Sequence, residues 1–284
     1  MNASNLARLD ARFPRRRAVI TGGASGLGFA TAAWLARLGW RIALLDRDAE
    51  RLGTSARMLV ADGAAEVSTH AVDTTDPVSV TAAVDQFASQ HEGLDFAMNA
   101  AGVAAAGRFL EIPLEDWEWV LRVNVLGVAN SCRAELPHML SSGAGLIINV
   151  ASAASFVSGA DMSAYNASKA AVVALSETLQ QEHSRDSIQV AAAMPGFFRT
   201  RLLEHARAPA AALATARKIM QASNLEAEPV ALEILVRAAA GSGHIVLPEG
   251  YRFLWRCKRL APGSFQRFMI RFREKKEAEA RAGR

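Results

Sequence analysis

Tyr165 and Lys169 stand four residues apart in Ser163-Ala164-Tyr165-Asn166-Ala167-Ser168-Lys169-Ala170, within a 284-residue chain that has only two tyrosines. On a helix, residues at this spacing share one face with Cβ atoms about 5 to 6 Å apart, so a phenol and an ammonium can act as one unit. The chemistry open to such a pair is proton exchange. A phenol of ordinary pKa, about 10, is a poor base at neutral pH. Lowering it by about three units takes roughly 4 kcal/mol of preferential stabilisation of the phenolate, which nearby positive charge in a shielded site can supply. The bland reading is a polar pair decorating a helix surface. Tyr251 has Trp255, not a lysine, four residues on. Two further polar residues fall at suggestive places: Ser152, thirteen residues before Tyr165 and just after an apolar run, and Asn124, in RVNVLGV near the start of another long helix.

A second group of residues suits a phosphate ligand. Thr21-Gly22-Gly23-Ala24-Ser25-Gly26-Leu27-Gly28 follows an apolar run and opens a helix. Glycines there allow a tight turn and bring bare amides to a pyrophosphate at the positive helix end, although a plain glycine-rich turn has the same composition. Asp46 ends the next apolar run, eighteen residues past Gly28, where a carboxylate can accept from both ribose hydroxyls of NAD. Arg47 follows it, and is either a solvated charge or a partner for the 2′-phosphate of NADP. Asp73 is placed to accept from an adenine amino group, while a neighbouring acid before Pro77 caps a helix. Asn99-Ala100-Ala101-Gly102 offers small residues for close approach, and Asn99 can either tie strand ends together or support the cofactor.

The elements that must position these groups are legible as a pattern. Apolar runs AVIT, RIALLD, AEVSTHAV, LDFAMNA, GLIINVAS, SIQVAAAMPG and GHIVLP alternate with helix-length segments over 26–39, 48–61, 77–91, 115–140, 163–184 and 200–240. Short runs apolar on both faces are what a parallel sheet covered by helices needs. The expected fold is α/β: a Rossmann-type doubly wound parallel sheet forming a single domain over 16–250, with an N-terminal arm at 1–15 and a basic amphipathic extension at 251–284. Every motif falls at the carboxyl end of a strand, where ligands bind in such sheets.

Composition removes other classes. Cys132 and Cys257 are isolated, which gives no disulfide framework and favours a reducing cytoplasm. The six histidines show no ligand spacing, so no metal site is expected. The opening MNASNLARLDARFPRRRAV lacks the continuous apolar core of a secretory signal, and the uncharged stretch 139–160 is richer in Ser, Gly and Asn than a membrane span. The net charge of +4 is local to the tail, where Phe253, Leu254, Trp255, Leu260, Phe265 and Phe268 alternate with arginines. That tail is read as a helix packed on its own subunit or a neighbour, or as a peripheral membrane contact; nucleic acid is not an expected partner.

Taken together, TGGASGLG, NAAG, Asn124, Ser152, YNASK and Pro195-Gly196-Phe197-Phe198-Arg199-Thr200 resemble the short-chain dehydrogenase/reductases over about residues 16–247. The resemblance implies hydride transfer between NAD(P), with NAD favoured, and a secondary alcohol or ketone. It implies Asn124, Ser152, Tyr165 and Lys169 as catalytic residues, with Tyr165 exchanging the proton, Ser152 holding the substrate oxygen and Asn124 holding a water that links Lys169 to solvent. Gly22, Ser25, Gly26, Leu27, Gly28, Asp46, Arg47, Asp73 and Asn99-Ala100-Ala101-Gly102 would bind cofactor, together with Tyr165, Lys169, Pro195, Gly196, Phe198 and Thr200. Phe156, Met162, Phe197 and Leu202, with Ser152 and Tyr165, would contact a lipophilic substrate. Family members usually dimerise through their two long helices, so a homodimer or homotetramer is implied. The alternative function is a non-catalytic NAD(H)-binding sensor or scaffold that uses the tail for a partner.

Overall fold

The computed structural model describes residues 6–223 and 225–282. Seven strands, β1 (Arg17–Thr21), β2 (Arg41–Asp46), β3 (Glu66–Ala71), β4 (Phe96–Asn99), β5 (Gly145–Val150), β6 (Ile188–Pro195) and β7 (His244–Leu247), form one sheet. All neighbours pair in parallel in the order β3-β2-β1-β4-β5-β6-β7, so strand order reverses between β1 and β4. The helices in chain order are α1 (Ala7–Arg12), α2 (Gly26–Ala36), α3 (Ala49–Ala61), α4 (Pro77–His91), α5 (Leu114–Leu121) and α6 (Gly127–Ser142). They continue with α7 (Ala154–Val157), α8 (Ser163–Glu182), α9 (Ala210–Ala222), α10 (Ala227–Ala239), α11 (Glu249–Leu260) and α12 (Pro262–Ala282). This is the expected doubly wound architecture.

The strands are continuously apolar because alternate side chains enter two different cores. Ala18, Ile20, Phe96, Met98, Leu146 and Ile148 join one cluster with α2 and α10. Val19, Ala97, Ile147 and Val190 join the other, with α4, α6 and α8. At period two, a strand buried on both faces needs an apolar residue at every position.

Two segments differ from the sequence expectation, and a third is defined more finely than it. The segment read as an N-terminal arm carries α1, which buries Leu6, Leu9 and Phe13 beside Trp40; the Trp40 indole donates to Asp10 at 3.0 Å. The helix expected over 115–140 is broken by a wide turn at Arg122–Leu126, where the Gly127 amide bonds to the Arg122 carbonyl. Inserting one residue into the helical ladder in this way redirects side chains, and Asn124 turns fully inward. The region 200–240 is two helices, α9 and α10, preceded by one 3₁₀ turn at Arg201–Leu203.

Candidate active site

The turn after β1 is shaped by what its glycines lack. Gly22 has φ +65, and a Cβ on it would lie 2.7 Å from the Ala101 amide nitrogen; one on Gly28 would lie 2.3 Å from the Gly22 carbonyl oxygen. Backbone meets backbone at both points, so no larger residue fits. Gly26, at φ +55, faces open space, with only Thr200 Oγ1 at 3.6 Å from a Cβ built on it. The amino end of α2 is thus presented to an open groove, an arrangement able to hold an anionic group.

Asp46 closes one edge of that groove. Its carboxylate accepts from the Ala24 and Asp48 amides, both at 3.2 Å, which ties the glycine turn to the end of β2. Arg47 is exposed and also lines the groove, as do Ser25, Leu27 and Asp73. Asp73 accepts from the Thr75 amide at 2.9 Å, while the neighbouring Asp76 caps α4 by accepting from Val78. Ala100, Ala101 and Gly102 form the floor, and Pro195, Gly196, Phe198 and Thr200 form the far wall. The cleft that these residues share encloses 680 Å³.

Asn99 is a correction. It is buried below the floor and does not line the cleft; its amide donates to Glu135 at 3.1 Å and to Asn149 at 3.0 Å. Of the two roles open to it, tying strand ends together is the one its hydrogen bonds fill. Sequence could not separate the two, because both require an amide at the end of β4.

Tyr165 and Lys169 lie on one face of α8 and both line the cleft, with Lys169 Nζ 5.7 Å from the phenol ring centroid. Ser152, just past β5, hydrogen-bonds the phenol. Ser152 Oγ also accepts from the Ala154 amide at 3.1 Å. Lys169 Nζ donates to the Val150 carbonyl at 2.9 Å. Burial dominates the electrostatics: it pushes the Tyr165 phenol up to about 12, with the Ser152 hydrogen bond pulling back, and the Lys169 ammonium down to about 8. The lowered phenol expected from an adjacent ammonium is therefore not what the protein alone produces. Both groups are held closer to neutrality than in water, since desolvation disfavours either charge.

Asn124 lies behind this pair. Its side chain accepts from the Val103 amide at 2.8 Å and donates to the Val103 carbonyl at 2.9 Å and to Ser168 Oγ at 3.0 Å. Both amide hydrogens are committed, and the residue does not line the cleft. It joins the loop after β4 to α8, and Ser168 in turn donates to the Tyr165 carbonyl at 2.8 Å. A Cβ on Gly102 would lie 3.3 Å from Asn124 Oδ1 and 3.4 Å from Lys169 Nζ, so this glycine keeps room beside both.

Beyond Tyr165 the cleft is lined by Met162, Phe197 and Leu202, as expected, together with Val103, Leu213 and Met220. Phe156 is not among them: it is packed in the core under α7. Two isolated parallel bridges, Ala105 to Arg207 and Gly107 to Met162, knit the loops around this end. Trp119, His205 and Tyr251 also line the cleft, and of these Trp119 and Tyr251 were missed. Trp119 lies under the Arg207 guanidinium at 4.1 Å, and Tyr251 is packed so closely on Gly196 that a Cβ there would lie 2.7 Å from its ring. None of the three falls in a motif, and Tyr251 arrives from the tail. Among the described residues no group of three or more His, Cys, Asp or Glu could hold a metal ion.

The sequence of the chain matches the short chain dehydrogenase family over residues 16–211. It is 38% identical over 188 residues to 2-(R)-hydroxypropyl-CoM dehydrogenase of Xanthobacter autotrophicus, covering 65% of this chain and 75% of that protein. It is 37% identical over 193 residues to D-threitol dehydrogenase of Mycolicibacterium smegmatis, covering 68% and 74%. The fold superposes with TM-score 0.79 on a short chain dehydrogenase/reductase from Burkholderia phymatum solved in complex with NAD, at 31% identity and covering 86% of this chain and 94% of that one. The protein thus belongs to the short chain dehydrogenase family of oxidoreductases.

Proposed function

We propose that this protein transfers a hydride between NAD(P) and a secondary alcohol or ketone, with NAD preferred and a lipophilic substrate. The observation that carries the reading is the convergence of Tyr165, Ser152 and Lys169 on the floor of one cleft whose other half is the glycine-lined groove. Gly26 faces the open groove and leaves the space a pyrophosphate needs, in a turn that Gly22 and Gly28 permit by letting backbone approach backbone, so the residues present fit a dinucleotide. Asp46 favours an unphosphorylated ribose, since a 2′-phosphate beside a carboxylate fixed by two amides meets like-charge repulsion. When bound, an oxidised nicotinamide supplies the hydride acceptor and a positive charge next to the phenol.

Tyr165 Oη then takes the proton from the substrate hydroxyl, or returns it in reduction. Ser152 Oγ holds the substrate oxygen as charge shifts onto it. Lys169 would contribute the second positive charge and hold the ribose of a bound nicotinamide nucleotide; Asn124 acts as a positioning residue through Ser168 and Val103. The relatives named above act on dissimilar compounds, so substrate class is argued from this chain's own lining. Val157, Met162, Phe198, Leu202, Leu203 and Met220 offer apolar contact. We place the protein in the cytoplasm as a homodimer joined through α6 and α8.

Fluorescence titration with NADH and NADPH, followed by turnover on a mixed library of alcohols and ketones, tests the coenzyme and substrate readings, and sedimentation velocity tests the dimer. Tighter binding of NADPH would reverse the coenzyme preference. A library in which only small sugars or polyols react would reject the lipophilic substrate.

A further inference from the structure

The tail is unlike the surface around it. Between Glu249 and Ala282 the sequence has ten cationic residues against four glutamates. Large apolar side chains are nevertheless left in solvent: Phe253 is 67% exposed, Leu260 87%, and Phe268, Ile270 and Phe272 about half. Phe268 and Phe272 stack at 6.2 Å on the outside of α12. The inner faces of these helices are already occupied, with Leu254 and Trp255 packed against the core and Phe265 buried under Lys258. Phe268 and Phe272, four residues apart, share one face of α12, and Phe253 and Leu260, seven apart, share one face of α11, so these exposed stripes are distinct from the packed faces.

Its position bears on the cleft. Arg273 of α12 pairs with Asp161 at 3.5 Å, and Asp161 lines the cleft. The same residue's carbonyl accepts from the Gly107 amide at 2.8 Å, which brings in the adjoining loop where Phe109 is 66% and Leu110 94% exposed. Apolar side chains with interleaved cations therefore flank the loop at the substrate end of the cleft on two sides.

We infer that α11, α12 and the Phe109–Leu110 loop form a docking face for an anionic lipid bilayer, with the substrate end of the cleft turned toward the lipid. Charge complementarity selects this occupant. A twofold contact between two copies would set the same arginine-rich helices against each other, whereas an anionic bilayer offers apolar depth to the phenyl rings and phosphate to the guanidinium groups. No helix among the described residues is long and apolar enough to cross a membrane, so the contact is a peripheral one. The inference does not depend on the chemistry proposed for the cleft.

Vesicle flotation of the full chain tests it. With about 30 mol% phosphatidylglycerol in phosphatidylcholine the protein is expected to float, and with phosphatidylcholine alone to stay behind. Raising salt from about 0.1 to about 0.5 M is expected to weaken partitioning by about tenfold. The paired substitutions Phe268→Ser with Phe272→Ser, and Arg267→Gln with Arg271→Gln, are each expected to lower it by a similar factor while leaving the melting temperature unchanged, since all four side chains are exposed. Failure to float, equal flotation on zwitterionic lipid, or flotation untouched by both pairs would overturn the inference. So would assembly into dimers through these residues without vesicle binding.

Discussion

Two buried polar clusters lie within the same sheet, both shifted by desolvation, and only one opens to the cleft. The first is Tyr165, Ser152 and Lys169. The second lies beneath it, where Asn99 and Asn149 at the ends of β4 and β5 meet Cys132 and Glu135 of α6 and Ser176 of α8. Glu135 is fully buried and pushed up to about 8, and the Cys132 thiol is also pushed up by burial and by Glu135. In pKa alone the second cluster is as perturbed as the first. A shifted pKa marks burial; access to a cavity and a reacting partner decides whether the shift is useful for chemistry.

The sharpest way to break this comparison is to remove one hydroxyl. Tyr165→Phe is expected to keep coenzyme affinity, because the ring and its packing remain, and to lower kcat by roughly a thousandfold or more through loss of the proton exchanger. Stopped turnover with an unchanged NADH titration is the expected pair of results. Near-normal kcat on a verified substrate would take the tyrosine out of the role proposed for it. No comparable loss is expected from the sealed cluster, where Glu135→Gln keeps the shape and a hydrogen-bonding group facing Asn99.

What could be read in advance follows the same division. The open cluster was legible because hydride and phosphate chemistry need particular residues at particular spacings: the glycines at 22, 26 and 28, the acid at 46, and a tyrosine and lysine one helical turn apart. The sheet was legible because both faces are covered, which leaves unbroken apolar runs. The sealed cluster was not, since Glu135 in a helical pattern looks like any surface glutamate until α6 packs on β4 and β5. Phe156 failed for the converse reason: an aromatic near an active-site loop has no sequence mark that separates lining from core. Asn124 was found by its motif but its contacts were not, because the wide turn that aims its amide at Val103 and Ser168 has no sequence signature. Tyr251 and Trp119 reach the cleft from elements far along the chain, a proximity that only the packed helices establish.

Stability should respond to pH through Glu135. Its carboxyl titrates near its ordinary value when unfolded and at about 8 when folded, so the native state binds the extra proton between those limits. The stabilisation is complete below the unfolded value and is lost as pH rises through the folded one, a decline of roughly a few kcal/mol. Urea unfolding at a series of pH values should show that fall in the wild type and a flattened profile in Glu135→Gln. Glu135→Ala leaves one Asn99 amide hydrogen with only the weak acceptor Cys132 Sγ, at 3.6 Å, and should cost about 1 to 3 kcal/mol at acidic pH. An unchanged wild-type profile across this window would mean that Glu135 ionises without penalty.

Lys169 gives the open cluster a pH signature of its own. Burial holds its ammonium at about 8 in the protein alone, so that charge is lost above this point, below where a free lysine would lose it. Coenzyme affinity should weaken severalfold between about pH 7 and pH 9 if the ammonium holds the ribose, because a neutral amine donates more weakly. Isothermal titration with NADH across that range measures the effect. Linkage adds an independent sign: the unfolded chain binds this proton where the folded one does not, so between about 8 and the ordinary lysine value the contribution to stability rises with pH, opposite to that of Glu135.

Gly102 offers the smallest and most selective perturbation, because it alone touches the boundary between positioning and chemistry. A methyl group there would stand 3.3 Å from Asn124 Oδ1, tighter than ordinary contact, and 3.4 Å from Lys169 Nζ, an ordinary van der Waals distance. The side chain that must yield, by a few tenths of an ångström, is therefore Asn124, which is held by three hydrogen bonds, whereas Lys169 is held by one to Val150. Gly102→Ala is expected to lower the melting temperature slightly and kcat severalfold, because Asn124 joins the loop after β4 to the helix that carries Tyr165, and to leave the pH dependence of coenzyme binding where it is in the wild type. A displaced pH profile with an unchanged melting temperature would instead show that Lys169 is the group that moves, and that the positioning side of the cluster is more rigid than the lysine beside it.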